Sequence, residues 1–189
     1  LRLVGSEMCI RDSSHTLSRT IAMPFKTLSA SLSVAPQLTA GDVAEAARAG
    51  FRAIIDNRPD GEEPGQPTAA EIRDLAASHG MSFAHVPTLG GAVADEHVMQ
   101  MAQTLARLDG PALAYCRTGM RSATLWALTQ AEAQQTDVLI MTAAAAGYDL
   151  STLRSRLDAR RDAKTPMGPK HPCGRLGFEA AVAHQDDVP

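Results

Sequence analysis

The chain has 189 residues, 44% hydrophobic and 21% charged, with a net charge of −3. That is enough apolar chain for one domain with a core, and too little charge for a disordered polyelectrolyte. No basic stripe marks a nucleic-acid footprint, and no apolar run approaches the ~20 residues of a membrane span.

Cys9, Cys116 and Cys173 are too few and too scattered for a disulfide framework, so a reducing, cytoplasmic setting is expected. Residues Leu3 to Asp12, LVGSEMCIRD, resemble the translation of a sequencing adapter. They lack periodicity, and Glu7, Arg11 and Asp12 interrupt any signal-peptide core. Residues 1–22 are therefore expected to be a non-native leader, with the authentic start near Met23.

Ser31 to Ala35 alternates and predicts a first strand. Thr39-Ala40-Gly41-Asp42 is close to a capping box and opens a short helix that Gly50 ends. Phe51 to Ile55 predicts a second strand. Residues 56–67 are dense in turn formers and charge and read as a loop. Thr68 to Glu71 is a full capping box, so a helix is expected to about Ser78, with Gly80 beyond it. Ser82 to Pro87 predicts a third strand and Thr88 to Gly91 a flexible loop. Asp95 is expected to cap a helix carrying Val98, Met101, Ala102 and Leu105 on one face. Gly110 and Pro111 end it, and Ala112 to Tyr115 predicts a fourth strand leading into Cys116.

Strands separated by helices imply right-handed crossovers. The expected fold is α/β, a mainly parallel four- to five-stranded sheet flanked by helices. Ligands in such sheets sit at the carboxyl ends of the strands, where the loops at 56–67, 88–94 and 116–121 should converge. Two helical pieces, about 137–146 and 151–161, are expected to cover this domain of residues 23–161. Prolines and glycines after Asp162 predict a disordered tail over 162–189, with a short helix at 178–184 as an option.

The chemistry centres on Cys116-Arg117-Thr118-Gly119-Met120-Arg121-Ser122. A helix is expected from about Ser122. Strand, tight loop and helix aim backbone N–H groups at one spot and favour negative charge there. A cysteine at that spot is expected to react as the thiolate. Arg121 and Arg117 would hold an anionic substrate, with Thr118 and Met120 completing the loop. Gly119 allows a close backbone approach. Ser122 would donate to the sulfur or cap the helix. Arg58 is either a second anion contact or the partner of Asp60 in a loop ion pair.

The Asn57-Arg58-Pro59-Asp60-Gly61-Glu62 and Pro64-Gly65-Gln66-Pro67 segments, with Tyr115 to Ser122, resemble the phosphatase-like domain of beta-lactamase-hydrolase-like proteins. The resemblance implies a protein-tyrosine-phosphatase-like fold and an activity labelled either phosphatase-like or sulfur transferase. Some members are fused to a persulfide dioxygenase. This chain has no His-x-His-x-Asp-His run, so such an enzyme would act as a partner in trans.

Two features rank the labels. Arg121 gives Cys-x4-Arg, one residue shorter than the phosphatase loop it resembles and matching the six-residue rhodanese pattern. A phosphatase also needs an acid to protonate the leaving oxygen. The 88–92 loop has none, leaving Asp60 or Asp95 as candidates. Sulfur transfer needs no such acid, because the leaving anion is already stable. The leading expectation is a cysteine-dependent sulfurtransferase passing sulfur from thiosulfate or a persulfide through a Cys116 persulfide. The alternative is a phosphatase acting on a phosphate ester through a phosphocysteine. A third possibility is a non-catalytic sulfur carrier or anion-binding module. None calls for a metal or cofactor.

Overall fold

The computed structural model describes residues 25–91 and 93–164. The leader, Cys9, the optional helix at 178–184 and the tail beyond Lys164 lie outside the described residues. The elements run β1 (Lys26–Thr27), β2 (Leu32–Ala35), α1 (Ala40–Arg48), β3 (Ala53–Asp56), α2 (Ala69–Ser78), β4 (Ser82–His85), α3 (Asp95–Arg107), β5 (Ala112–Tyr115), α4 (Met120–Gln130), α5 (Thr136–Ala145), a 3-10 turn (Ser151–Leu153) and α6 (Arg154–Lys164).

The strands form one sheet in the order β1-β2-β5-β3-β4. β2, β5, β3 and β4 are parallel, and the two-residue edge strand β1 pairs antiparallel with β2. The four parallel strands were legible from sequence. β1 was not, because two residues carry no period.

Strand alternation sorts the core into two layers. Leu32, Val34, Ala53, Ile55, Ala112 and Ala114 face a cluster that includes Val98, Met101, Leu125, Trp126, Leu139 and Leu157. Ala35, Ile54, Leu113 and Tyr115 face Val43, Ala46, Ile72 and Ala76 on the other side. Both faces are covered, as a parallel sheet requires. The alanines of β5 and α4 let the central strand and its helix approach closely.

Sequence chemistry fixes the helix entries. Thr39 accepts from Asp42 N at 3.3 Å while the Asp42 carboxylate accepts from Thr39 N at 2.8 Å. Thr68 and Glu71 repeat this reciprocal pair at 3.2 and 2.7 Å, so both predicted capping boxes form. Asp95 departs from expectation. Ala94 is the residue that precedes α3, and the Asp95 carboxylate instead accepts from Arg156 and Arg160 of α6 at 2.7 and 2.8 Å. A tertiary ion pair outcompetes the local cap there. α5 and α6 pack against α4, and α6 runs on to Lys164. Among the described residues, no helix is long and apolar enough to cross a membrane.

The strand order positions the site. β2 and β3 send their chains onto the α1/α2 face, whereas β5, lying between them, sends its chain onto the opposite face through α4. Neighbouring loops thus diverge at the carboxyl end of β5 and open a crevice there. Cys116 is the first residue beyond that strand.

Leu125 is fully buried on the α4 face that meets the sheet. Leu125→Ala should lower unfolding stability by about 2–5 kcal/mol. Met141→Ala, on exposed α5 surface, should stay within about 0.5 kcal/mol. Urea midpoints check both, and equal small losses would contradict the two-layer core.

Candidate functional site

The backbone just beyond β5 builds a cradle around one sulfur. Gly119 N–H donates to Cys116 Sγ at 3.2 Å. Gly119 has φ 90° and is the residue from which α4 starts, so the helix begins at Met120, two residues before the expected position. A left-handed residue at this point turns the N–H inward, and glycine adopts that conformation without strain. The positive end of the α4 dipole lies over the same spot. Cys116 is 1% exposed, so the sulfur is sheltered within the loop that surrounds it.

Arg121 stands in the first turn of α4. Its Nη1 and Nη2 donate to the two Glu62 oxygens at 2.7 and 2.8 Å, and Nη1 also donates to Thr88 O at 2.6 Å. Glu62 lies in the β3–α2 loop and Thr88 in the β4–α3 loop, so two loops and the start of α4 meet at one guanidinium. Burial opposes the charge on Arg121, but the Glu62 carboxylate and the nearby Cys116 sulfur more than offset it and push its pKa above the usual arginine range. The Arg121 hydrogen bonds, with weaker help from Arg58, hold Glu62 below the usual carboxylate range against its own partial burial.

Arg58 is placed differently from the expected anion contact. Its side chain is 2% exposed. Nε donates to Glu62, Nη1 to Gln37 Oε1 and Nη2 to Glu63, each at 2.7 Å. Its guanidinium is committed to bracing the loop, and its partners are Glu62 and Glu63 rather than Asp60. Asp60, the candidate acid, accepts from Ala69 N at 2.8 Å and so caps α2. Asp95 is held by α6. Neither carboxylate makes a hydrogen bond or ion pair with residues 116–121.

The remaining loop residues lie at the rim. Arg117 is exposed and pairs with Glu63 at 2.9 Å. Thr118 Oγ1 accepts from Met120 N at 3.4 Å, and Met120 is 38% exposed. Ser122 is fully buried, and its hydroxyl has no hydrogen-bond partner. It neither caps α4 nor bonds to the sulfur. The Cys116 loop is tied to its neighbours through Gln37 N to Arg117 O at 3.3 Å and Asn57 N to Tyr115 O at 2.8 Å.

Glu62, Thr88 and Tyr148 belong to the site and went unread in the sequence. Glu62 stands 59 positions from Arg121 and looks like one acid in a charged turn. Tyr148 follows α5, yet its hydroxyl rests on Gly119. Behind the site, Asp56 is 1% exposed, and burial raises its pKa above the ordinary range despite the Arg58 N–H that its carboxylate accepts at 2.8 Å. Among the described residues, no group of three or more His, Cys, Asp or Glu could hold a metal ion.

The profile of the beta-lactamase hydrolase-like protein, phosphatase-like domain matches residues 24–133, more than half of the chain. A beta-lactamase hydrolase-like protein of Agrobacterium fabrum is 35% identical over 100 residues, which are 53% of this chain and 23% of that protein. A Xylella fastidiosa protein of the same name is 31% identical over 99 residues, 52% of this chain and 23% of its own. The chain thus spans under a quarter of the length of these relatives. Among solved structures, a Neisseria meningitidis protein provisionally named a phosphatase is 38% identical, with a TM-score of 0.68 over 74% of this chain and 99% of that one. Tk-PTP, at 16% identity and TM-score 0.58 over 75% of this chain and 97% of that one, shares the fold. The sheet, the cradle and these matches together place the chain in the beta-lactamase hydrolase-like, phosphatase-like domain family, with a protein-tyrosine-phosphatase-like fold.

Proposed function

We propose that this domain is a cysteine-dependent phosphatase, the reading ranked second on sequence. Sulfur transfer moves behind it because the family and the fold neighbours are phosphatase-like. The observation that carries the proposal is Arg121. Its guanidinium is clamped beside the Cys116 sulfur, and the Gly119 N–H points at the same spot. Fixed donors at the place where charge develops are the largest single source of catalysis in acyl and phosphoryl transfer.

In this mechanism the Cys116 thiolate attacks phosphorus in line with the ester oxygen. The S–P bond forms, the P–O bond breaks, and the electron pair leaves on that oxygen, which takes its proton from water, since Asp60 and Asp95 are engaged elsewhere. Water then attacks the phosphocysteine, releasing inorganic phosphate and restoring the thiolate. The loop N–H groups and Arg121 hold the equatorial oxygens. Arg58, Arg117 and Arg121 share the two carboxylates Glu62 and Glu63, and the one formal positive charge left over balances the Cys116 thiolate. A cleft of about 240 Å³ between Val93, Met120, Leu153 and Arg121 offers room for the leaving group.

A specific observation favours sulfur transfer as the second reading. Asp60 and Asp95 are both engaged away from Cys116, and the Cys-x4-Arg loop is short. Transfer to a thiol or cyanide needs no protonated leaving group. The third reading, a carrier, requires modification of Cys116 without turnover.

Incubation with a generic aryl phosphate, beside thiosulfate with cyanide, separates the three. Phosphate release should occur in wild type and fall at least about a thousandfold in Cys116→Ser and in Arg121→Met, the scale of losing a nucleophile or a central charge stabiliser. Thiocyanate formation without phosphate release would return sulfur transfer to first place. A single stoichiometric adduct would identify a carrier.

Glu62 gives a pH test. Because its folded pKa is lowered, its contribution to stability is complete above the ordinary carboxylate range and disappears as pH falls through the folded value. Glu62→Gln should be less stable than wild type at pH 7, and the gap should narrow on acidification below about pH 5. Asp56 is common to both proteins and largely cancels from the difference. Urea midpoints at pH 7 and pH 4 check this, and parallel pH profiles would contradict it.

A further inference from the structure

Tyr148 is a buried, functional-looking side chain that the phosphatase mechanism does not use. It follows the turn that ends α5, where Tyr148 N donates to Ala143 O at 2.8 Å and Gly147 N to Ala144 O at 2.9 Å. The turn fixes its backbone, and the ring is 8% exposed within the core that packs around α4. The tip of the ring lies directly against Gly119. A methyl group built on Gly119 would come within 2.1 Å of Tyr148 Oη and 2.7 Å of Cζ. Gly119 is the residue whose N–H holds the Cys116 sulfur. The phenol oxygen is therefore one residue's width from the cradle, and it makes no hydrogen bond to any described residue.

We propose that Tyr148 is a substrate-contacting residue, its hydroxyl donating a hydrogen bond to the tetrahedral oxyanion bound over Cys116. The proposal rests on the phosphatase reading only for the identity of that anion. Three observations converge on it. The phenol touches the one loop residue that must be glycine, so the absence of a side chain at Gly119 serves the tyrosine as well as the backbone turn. Its oxygen makes no hydrogen bond among the described residues, whereas Arg58 and the far edge of Arg121 are already committed. Burial, and then the negative charge at Cys116, hold the phenol above its ordinary range, so it stays protonated across the neutral range. A group this reluctant to ionise is a poor general acid but a constant donor. It would bind the anion in ground state and transition state alike, and so act mainly on affinity.

Tyr148→Phe keeps the ring against Gly119 and removes only the donor. Calorimetric titration of the full chain with inorganic phosphate, and separately with thiosulfate, reads the effect. Dissociation constants for the anion should rise about tenfold, the typical worth of one hydrogen bond to a charged acceptor, with the thermal midpoint unchanged. The aryl phosphate KM should rise with them and kcat should change less. Leu139→Ala, which removes a buried α5 side chain from the same core cluster and leaves Tyr148 itself unaltered, is the control for a merely structural role. Unchanged anion affinity in Tyr148→Phe, or an equal loss in Leu139→Ala, would overturn the proposal. If wild type binds thiosulfate but not phosphate and Tyr148→Phe weakens thiosulfate, the phosphatase reading fails while the role of Tyr148 stands.

Discussion

A single carboxylate holds the functional edge of this molecule together. Glu62 accepts from Arg58 on one side and bidentately from Arg121 on the other. Neither arginine could be buried alone, since an unpaired guanidinium in the interior is strongly unfavourable. Paired through Glu62, the two fasten the β3–α2 loop to the start of α4. Thr88 O adds the β4–α3 loop to the same guanidinium. The geometry of the cradle and the stability of the loops are thereby one property. Bidentate pairing fixes the plane of Arg121 as well as its position, and an anion site needs both.

The sheet makes this meeting possible. β5 lies between β2 and β3 but sends its chain to the opposite face from theirs. The loop after β5 is left in a crevice with neighbours on both sides. Alanines in β5 and α4 let that loop lie deep, and the sulfur ends up 1% exposed. Depth shelters the sulfur from water and strengthens every charge interaction around it. The same depth explains why Arg58 serves as a brace rather than as a substrate contact.

Much of this could be read from the chain. Ala112 to Tyr115 and the residues after it announced strand and loop, because apolar alternation and a glycine-containing polar turn are local signals. The Thr39–Asp42 and Thr68–Glu71 caps were legible for the same reason. What stayed hidden is tertiary. Asp95 looks like a cap until α6 brings Arg156 and Arg160 to it. Asp60 looks like a free acid until α2 places Ala69 N–H against it. Glu62 and Tyr148 belong to the site only because loops distant in sequence fold onto Gly119 and Arg121. α4 starts two residues early because Gly119 takes a left-handed conformation, which a periodicity count does not register. The order of the two chemistries also changed, since loop length and a missing acid weighed more in sequence than the fold they sit in.

The most direct measurement is rapid mixing of the full chain with an aryl phosphate, followed by quenching and peptide mass analysis. A thiolate nucleophile within this cradle should carry one phosphoryl group on Cys116 during turnover, and Arg121→Met should not accumulate it. Phosphate turnover with no adduct on Cys116, or turnover that persists in Cys116→Ser, would contradict a reaction centred on this sulfur.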